Sequence, residues 1–162
     1  MIMLEHYDTK RYVNDIGIVK PISPFEMTDY VRPVCLPPRA DFTVPAQSKC
    51  IISGFGIDRT GKRSSQLLHA LLPIRTGKFC NDKFQQFQKG TALSVSDRQI
   101  CAGGVRSDFD TCQGDSGGPL ICLHESIGYV AVGIISWGFG CGKLPGVYTE
   151  IADYLDWIDA NK

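Results

Sequence analysis

The chain has 162 residues, 43% of them apolar, and its 17 lysines and arginines balance its 17 aspartates and glutamates. This length and composition suit one soluble globular domain, and a net charge of zero gives no reason to expect nucleic acid or a membrane surface as a partner. The longest apolar stretch, residues 129–140, is too short to cross a bilayer, and the apolar run over the first six residues is too short for a signal peptide.

Short strand-like runs, separated by glycine, proline, asparagine and aspartate, predict an all-β barrel or sandwich. Two helices are also predicted, over residues 80–88 and 151–160, and we expect Trp157 to take part in packing the second one. In chain order, the predicted strands are residues 16–20, 49–55, 66–72, 99–102, 119–123, 130–137 and 146–149. The apolar face of the C-terminal helix consists of Ile151, Tyr154, Leu155 and Ile158.

The most informative segment is residues 110–119, Asp-Thr-Cys-Gln-Gly-Asp-Ser-Gly-Gly-Pro, which places Ser116 in a glycine-flanked turn. A serine hydroxyl becomes a useful nucleophile when a base takes its proton and backbone N–H groups stabilise the developing oxyanion. Glycines permit the positive φ angles that let the N–H groups of Gly114 and Ser116 point into one small hole. The alternative is a polar glycine-rich turn without chemistry.

This ten-residue string resembles the nucleophile motif of trypsin-like serine endopeptidases, the family with the chymotrypsin fold. The resemblance implies an all-β, two-barrel protease fold that cleaves peptide bonds after arginine or lysine through an acyl-enzyme, without a cofactor or a metal. It implies a partial domain: residues 1–48 would be the remainder of the first barrel and the inter-barrel linker, residues 49–150 a nearly complete second barrel, and residues 151–162 a C-terminal helix.

The family's catalytic residues follow the chain order His, Asp, Ser. Residues 14–19, Asn-Asp-Ile-Gly-Ile-Val, resemble the segment that carries the catalytic aspartate, here Asp15. None of the three histidines, His6, His69 and His124, has the neighbours of the catalytic histidine. We therefore expect the chain alone to be inactive and to be part of a longer protein. The alternative is a truncated or pseudoprotease protein that binds partners without catalysis.

A second feature of the family is the pairing of the acid before the nucleophile, here Asp115, with an N-terminus released by cleavage. The sequence contains no Ile-Val-Gly-Gly-like segment that could supply this N-terminus. Because an unpaired buried charge is destabilising, we expect the loop around Gly114 to be loose or zymogen-like in this chain alone.

The resemblance also implies a substrate pocket. Asp110, six positions before Ser116, matches the pocket floor, where a carboxylate favours a guanidinium or ammonium group. The segment that pairs with the substrate backbone is matched by Ser136, Trp137 and Gly138. Ser136 also matches the serine that forms a hydrogen bond with the catalytic aspartate. The two glycines of the pocket walls are Gly138 and Gly146. Two aromatic residues match neighbouring subsites: Tyr12 and Phe84.

Seven cysteines indicate an oxidising compartment and hence a secreted protein, and their spacing is not that of a zinc site. The sequence alone does not fix their connectivity. Cys35 matches the position at which two-chain members of the family bridge to an upstream chain, and the alternative is a free surface thiol. The resemblance implies three further bridges: Cys50–Cys122, Cys80–Cys101 and Cys112–Cys141.

Overall fold

A computed structural model of the chain describes residues 1–58, 60–104 and 113–162. Strands dominate it, with one helix between the fourth and fifth strands and a helical segment at the C-terminus. The elements are β1 (Ile2–Met3), β2 (Gly17–Ile18), β3 (Lys49–Gly54), β4 (Leu68–Arg75), α1 (Gly77–Phe87), β5 (Gln99–Ala102), β6 (Pro119–His124), β7 (Gly128–Gly138), β8 (Gly146–Glu150), a 3-10 helix (Ile151–Tyr154) and α2 (Leu155–Asn161).

Six strands close into an antiparallel barrel in the order β3-β4-β5-β8-β7-β6, with β6 returning to β3. Alternate residues of each strand face the interior, as in β3, where Cys50 and Ile52 are buried. The barrel is closed because β6 pairs with β3 as well as with β7. This architecture confirms the all-β, chymotrypsin-like fold class expected from the sequence. The core of the barrel includes Leu72, Ile74, Leu120, Val130, Val132 and Tyr148.

The N-terminal part of the chain is much less compact than the barrel. β1 and β2 form a two-stranded sheet, so that the predicted strand over residues 16–20 contains only Gly17 and Ile18 as strand. The segment that follows runs over the surface, where Ile22 and Tyr30 are almost completely exposed. Within the described residues, no second closed barrel accompanies the first.

The two helical segments differ in detail from their predicted bounds. α1 starts three residues earlier than expected because Thr76 caps it: the Thr76 hydroxyl accepts a 3.2 Å hydrogen bond from the N–H of Phe79. The C-terminal segment begins as a 3-10 turn over Ile151–Tyr154 and becomes α-helical only from Leu155. Trp157 lies at intermediate burial in α2.

Two disulfides tie these elements together. Cys50 and Cys122 join the paired strands β3 and β6, with their Cα atoms 4.3 Å apart. Cys80 and Cys101 join α1 to β5, with their Cα atoms 6.6 Å apart. Cys141 is also disulfide-bonded, and Cys112, its expected partner, lies outside the described residues.

Candidate active site

The loop that carries Ser116 is held against β7. The N–H of Gly117 donates to the carbonyl of Ile135 at 3.0 Å, and the N–H of Ile135 donates to the carbonyl of Gly118 at 2.9 Å. Gly114 and Gly117 have φ angles of +100° and +82°, a region that glycine enters without strain. The Ser116 side chain is exposed in this turn and is accessible to a substrate.

The side chain of Asp15 is held by Ser136, the residue that follows Ile135 in β7. The Ser136 hydroxyl donates to Oδ2 of Asp15 at 2.7 Å. Ser136 occupies a β-bulge: Ile135 pairs with Tyr148 and Trp137 with Val147, which leaves Ser136 as the extra residue. A bulge re-aims the side chain of the extra residue. Consecutive residues of β7 therefore anchor the Ser116 loop and the Asp15 carboxylate.

A second anchor of Asp15 comes from β8. The buried Thr149 donates its hydroxyl to the Asp15 carbonyl at 2.8 Å. The negative charge of the Asp15 carboxylate also affects Tyr7. Burial raises the pKa of the Tyr7 hydroxyl above its usual value, and repulsion from the Asp15 charge raises that pKa further. Sequence reasoning missed Thr149 because a lone threonine in a strand is indistinguishable from an ordinary strand former.

Asp115 folds back over residues 54–56. Its Oδ1 accepts a 2.8 Å hydrogen bond from the N–H of Gly56, and a Cβ atom placed on either Gly54 or Gly56 would overlap the Asp115 carboxylate. The N–H of Ile57 also donates to the carbonyl of Gln113 at 2.9 Å. These contacts hold the segment from Gln113 to Asp115 against residues 56 and 57.

The segment that the sequence predicts to pair with substrate, residues 136–138, is the last part of β7. Gly138 is exposed and pairs with the buried Gly146 of β8. A Cβ atom on Gly138 would lie 3.6 Å from the Cα atom of Gly146, which is an ordinary van der Waals distance. Asp110, the expected pocket floor, lies outside the described residues.

Trp137 is surrounded by aromatic rings. Tyr12 stacks on it at a centroid distance of 6.2 Å, and Phe84 contacts it at 5.2 Å. Phe84 is fully buried, so the expectation that it lines an open subsite is wrong; it supports Trp137 from the interior. A further aromatic residue that the sequence did not single out is Phe139, just beyond the end of β7, whose ring meets Trp137 at a centroid distance of 5.9 Å. Its aromatic ring two residues after Trp137 was the available signal.

The three histidines make contacts elsewhere. The carbonyl of His6 accepts a hydrogen bond from Asn14, His69 lies exposed on β4, and the ring of His124 packs against Phe42 at 5.4 Å. None of these contacts involves the Asp15 or Ser116 side chains. Cys35 is an exposed free thiol beside β7, since its carbonyl accepts a hydrogen bond from the N–H of Ala131.

Over residues 1–58, 60–104 and 113–162, no cluster of three or more histidine, cysteine, aspartate or glutamate side chains could hold a metal ion. The helices of the same residues include none that is long and apolar enough to cross a membrane. The protein-family model described as "Trypsin" matches residues 1–158 of the chain.

Proposed function

The chain belongs to the trypsin family of serine proteases, and from this premise we propose that it is part of a secreted endopeptidase that cleaves peptide bonds after arginine or lysine. The observation that carries the proposal is the arrangement on β7, where Ile135 holds the Ser116 loop and Ser136 holds Asp15. An oxidising extracellular location suits the disulfides Cys50–Cys122 and Cys80–Cys101.

In the proposed reaction Ser116 is the nucleophile. A histidine from the part of the protein upstream of this chain takes the Ser116 proton as Oγ attacks the scissile carbonyl, and it then gives that proton to the leaving amine. The backbone N–H groups of Gly114 and Ser116 stabilise the oxyanion. Water then attacks the acyl ester, with the same histidine as base, and releases the new C-terminal carboxylate.

Asp15 orients the histidine. One carboxylate oxygen, Oδ2, accepts from Ser136, which leaves Oδ1 to accept from the histidine ring and to stabilise its cationic form. Thr149 fixes the backbone carbonyl of the same residue. A carboxylate fixed at both its backbone and its side chain provides the preorganised orientation that catalysis requires.

Substrate selection is assigned to Asp110, whose carboxylate at the pocket base binds the cationic side chain that precedes the cleaved bond. Gly138 and Gly146 leave room for that long side chain, and the backbone of Ser136 to Gly138 pairs with the substrate as an added strand.

Kinetic measurements on the full-length, activated protein test the assignment. We expect turnover of arginine-amide and lysine-amide peptides, and loss of this preference in Asp110→Ser. Asp29→Ser is the matched control, because Asp29 has a side chain that is 90% exposed. Retention of the arginine preference in Asp110→Ser contradicts the pocket assignment.

The upstream sequence tests the role of the missing histidine. An Ile-Val-Gly-Gly-like start and an Ala-His-Cys segment before Met1 in the native transcript identify the chain as part of an active protease. The 162 residues alone should show no turnover. A transcript without this histidine favours the alternative function, a truncated or pseudoprotease protein that binds partners through the retained pocket, since no histidine contact described above reaches Asp15 or Ser116.

Cys35 is assigned to a disulfide with an upstream chain. It is the odd cysteine among seven, and its exposed thiol is accessible to a partner. Peptide mapping of the full-length protein without reduction should recover Cys35 linked to an upstream peptide, with recovery of a free Cys35 thiol as the opposing result.

A further inference from the structure

We propose that Tyr154, on the C-terminal 3-10 helix, is a positioning residue that keeps Asp15 in its catalytic place by holding the side chain of Asn14. The kinetic consequence of this inference rests on the proposed function. The Tyr154 hydroxyl donates to Oδ1 of Asn14 at 3.1 Å, and the Tyr154 residue is only 3% exposed. Burial raises the pKa of Tyr154 above its usual value, which keeps the hydroxyl protonated as a donor.

Asn14 directly precedes Asp15 and sets the direction in which the chain enters it. Its φ angle of +61° lies in the left-handed region, where asparagine is one of the few side-chain-bearing residues found with any frequency. Its carbonyl accepts a 2.9 Å hydrogen bond from the N–H of Ile16, which closes a tight turn around Asp15. A change in the backbone of Asn14 therefore rotates the chain at Asp15.

The side chain of Asn14 is held by hydrogen bonds at both ends of its amide. Nδ2 donates to the carbonyl of His6 at 3.1 Å, and Oδ1 accepts from Tyr154. On another side Asn14 lines a polar cavity of about 390 Å³, together with His6 and Arg98. Because packing does not enclose Asn14 on that side, the two hydrogen bonds must provide its restraint.

Tyr154 is a firm point of attachment. Its ring is buried against the barrel, and the guanidinium of Arg98 lies 5.8 Å from the ring centroid. Thr149, five residues earlier in β8, holds the Asp15 carbonyl directly. β8 and the 3-10 helix that follows it thus restrain residues 14 and 15 at two points, one through the backbone of Asp15 and one through the side chain of Asn14.

Loss of the Tyr154 hydroxyl should therefore lower kcat and leave KM unchanged, since the residues assigned to substrate binding lie elsewhere. In the full-length, activated protein we expect Tyr154→Phe to reduce kcat by about 10-fold, the effect of losing the hydrogen bonding of its hydroxyl to Asn14 and Arg98. KM should stay within about two-fold of wild type, because uniform binding is retained. Tyr30→Phe is the matched control, because Tyr30 is 98% exposed, and it should change neither constant.

A double-mutant cycle separates positioning from general destabilisation. Asn14→Gly removes the amide and retains access to a positive φ angle. If Tyr154 acts through Asn14, the double variant Tyr154→Phe/Asn14→Gly loses no more kcat than Asn14→Gly alone. Additive losses, or an unchanged kcat in Tyr154→Phe, overturn the proposal.

Hydrogen exchange supplies a measurement that needs no turnover. The N–H of Ile16 bonds to Asn14, and the N–H of Leu4 bonds to the carbonyl of Ile16, so both amides should exchange faster in Tyr154→Phe and at the wild-type rate in Tyr30→Phe. If the full-length wild type lacks peptidase activity, the proposed function fails, and exchange alone decides this inference. Unchanged exchange at both amides in Tyr154→Phe then overturns it.

Discussion

The hydroxyl of Ser136 donates a 2.7 Å hydrogen bond to Oδ2 of Asp15 across 121 residues of chain. Ser136 is the extra residue of the β-bulge in β7, between the paired residues Ile135 and Trp137, and a bulge re-aims the side chain of its extra residue. The residue before it, Ile135, exchanges backbone hydrogen bonds with Gly117 and Gly118. One irregularity in one strand therefore couples the positions of the aspartate and the serine of the site.

Removing the Ser136 hydroxyl should weaken catalysis without unfolding the protein. We expect Ser136→Ala to lower kcat by about 10- to 150-fold, since hydrogen bonds to charged groups contribute about 1.5–3 kcal/mol. The measurement is steady-state hydrolysis of an arginine-amide peptide by the full-length, activated protein. Ser126→Ala, at an exposed turn position, is the control, and equal activity of the two variants would contradict the role of Ser136.

A methyl group at Gly56 should disrupt the Ser116 loop. The added Cβ overlaps the Asp115 carboxylate and competes with the hydrogen bond from the N–H of residue 56. We expect Gly56→Ala to destabilise the fold by about 1–3 kcal/mol, the range for overpacking, and to lower kcat. Gly77→Ala is the control, because its Cβ would meet Val95 at an ordinary 3.9 Å. Urea denaturation should distinguish them, and equal stability of both variants would be the contrary outcome.

Glu150 should make the stability of the fold pH-dependent. Burial, and then repulsion from Asp153, raise the pKa of Glu150 from 4.5 to about 7. At a pH between these two pKa values, Glu150 is protonated in the folded protein and has released its proton in the unfolded chain. The stability associated with Glu150 is therefore fully present below pH 4.5 and is lost as the pH rises through 7.

Replacing this carboxyl by an amide tests that dependence. Because Glu150 is only half-buried, the full shift is discounted for solvent screening, and we expect Glu150→Gln to stabilise the protein by about 1–2 kcal/mol at pH 8. At pH 4 its effect should vanish. Denaturation in the Ser116→Ala background, which prevents self-digestion, gives the measurement, with Glu125→Gln at an exposed site as control. A constant effect of Glu150→Gln across this range would refute the assignment.

The sequence predicts the barrel well because its strands carry local patterns. β5 has the predicted bounds, and β3 differs from its prediction by one residue. β4 runs to Arg75, three residues beyond its predicted end at Leu72, and its Pro73 lies opposite Lys49. Tertiary pairing overrides a local proline signal where the proline's missing N–H is not needed.

The hydrogen bonds that hold Asn14 and Asp15 in place could not be predicted from the sequence. Tyr154 was assigned to helix packing from its spacing, and its hydrogen bond to Asn14 spans 140 residues of sequence. Thr149 reaches Asp15 across 134 residues. No local periodicity encodes a hydrogen bond between elements so distant, so these contacts emerge only when the chain is folded.

The most direct test of the account is covalent labelling of the nucleophile. The full-length, activated protein is treated with a fluorophosphonate probe, and the modified residue is located by peptide mass mapping. The account predicts stoichiometric labelling of Ser116, competition by an arginine-amide peptide, and loss of labelling in Ser116→Ala. A protein that stays unlabelled under these conditions, or that is labelled at another residue, would contradict the assignment of Ser116.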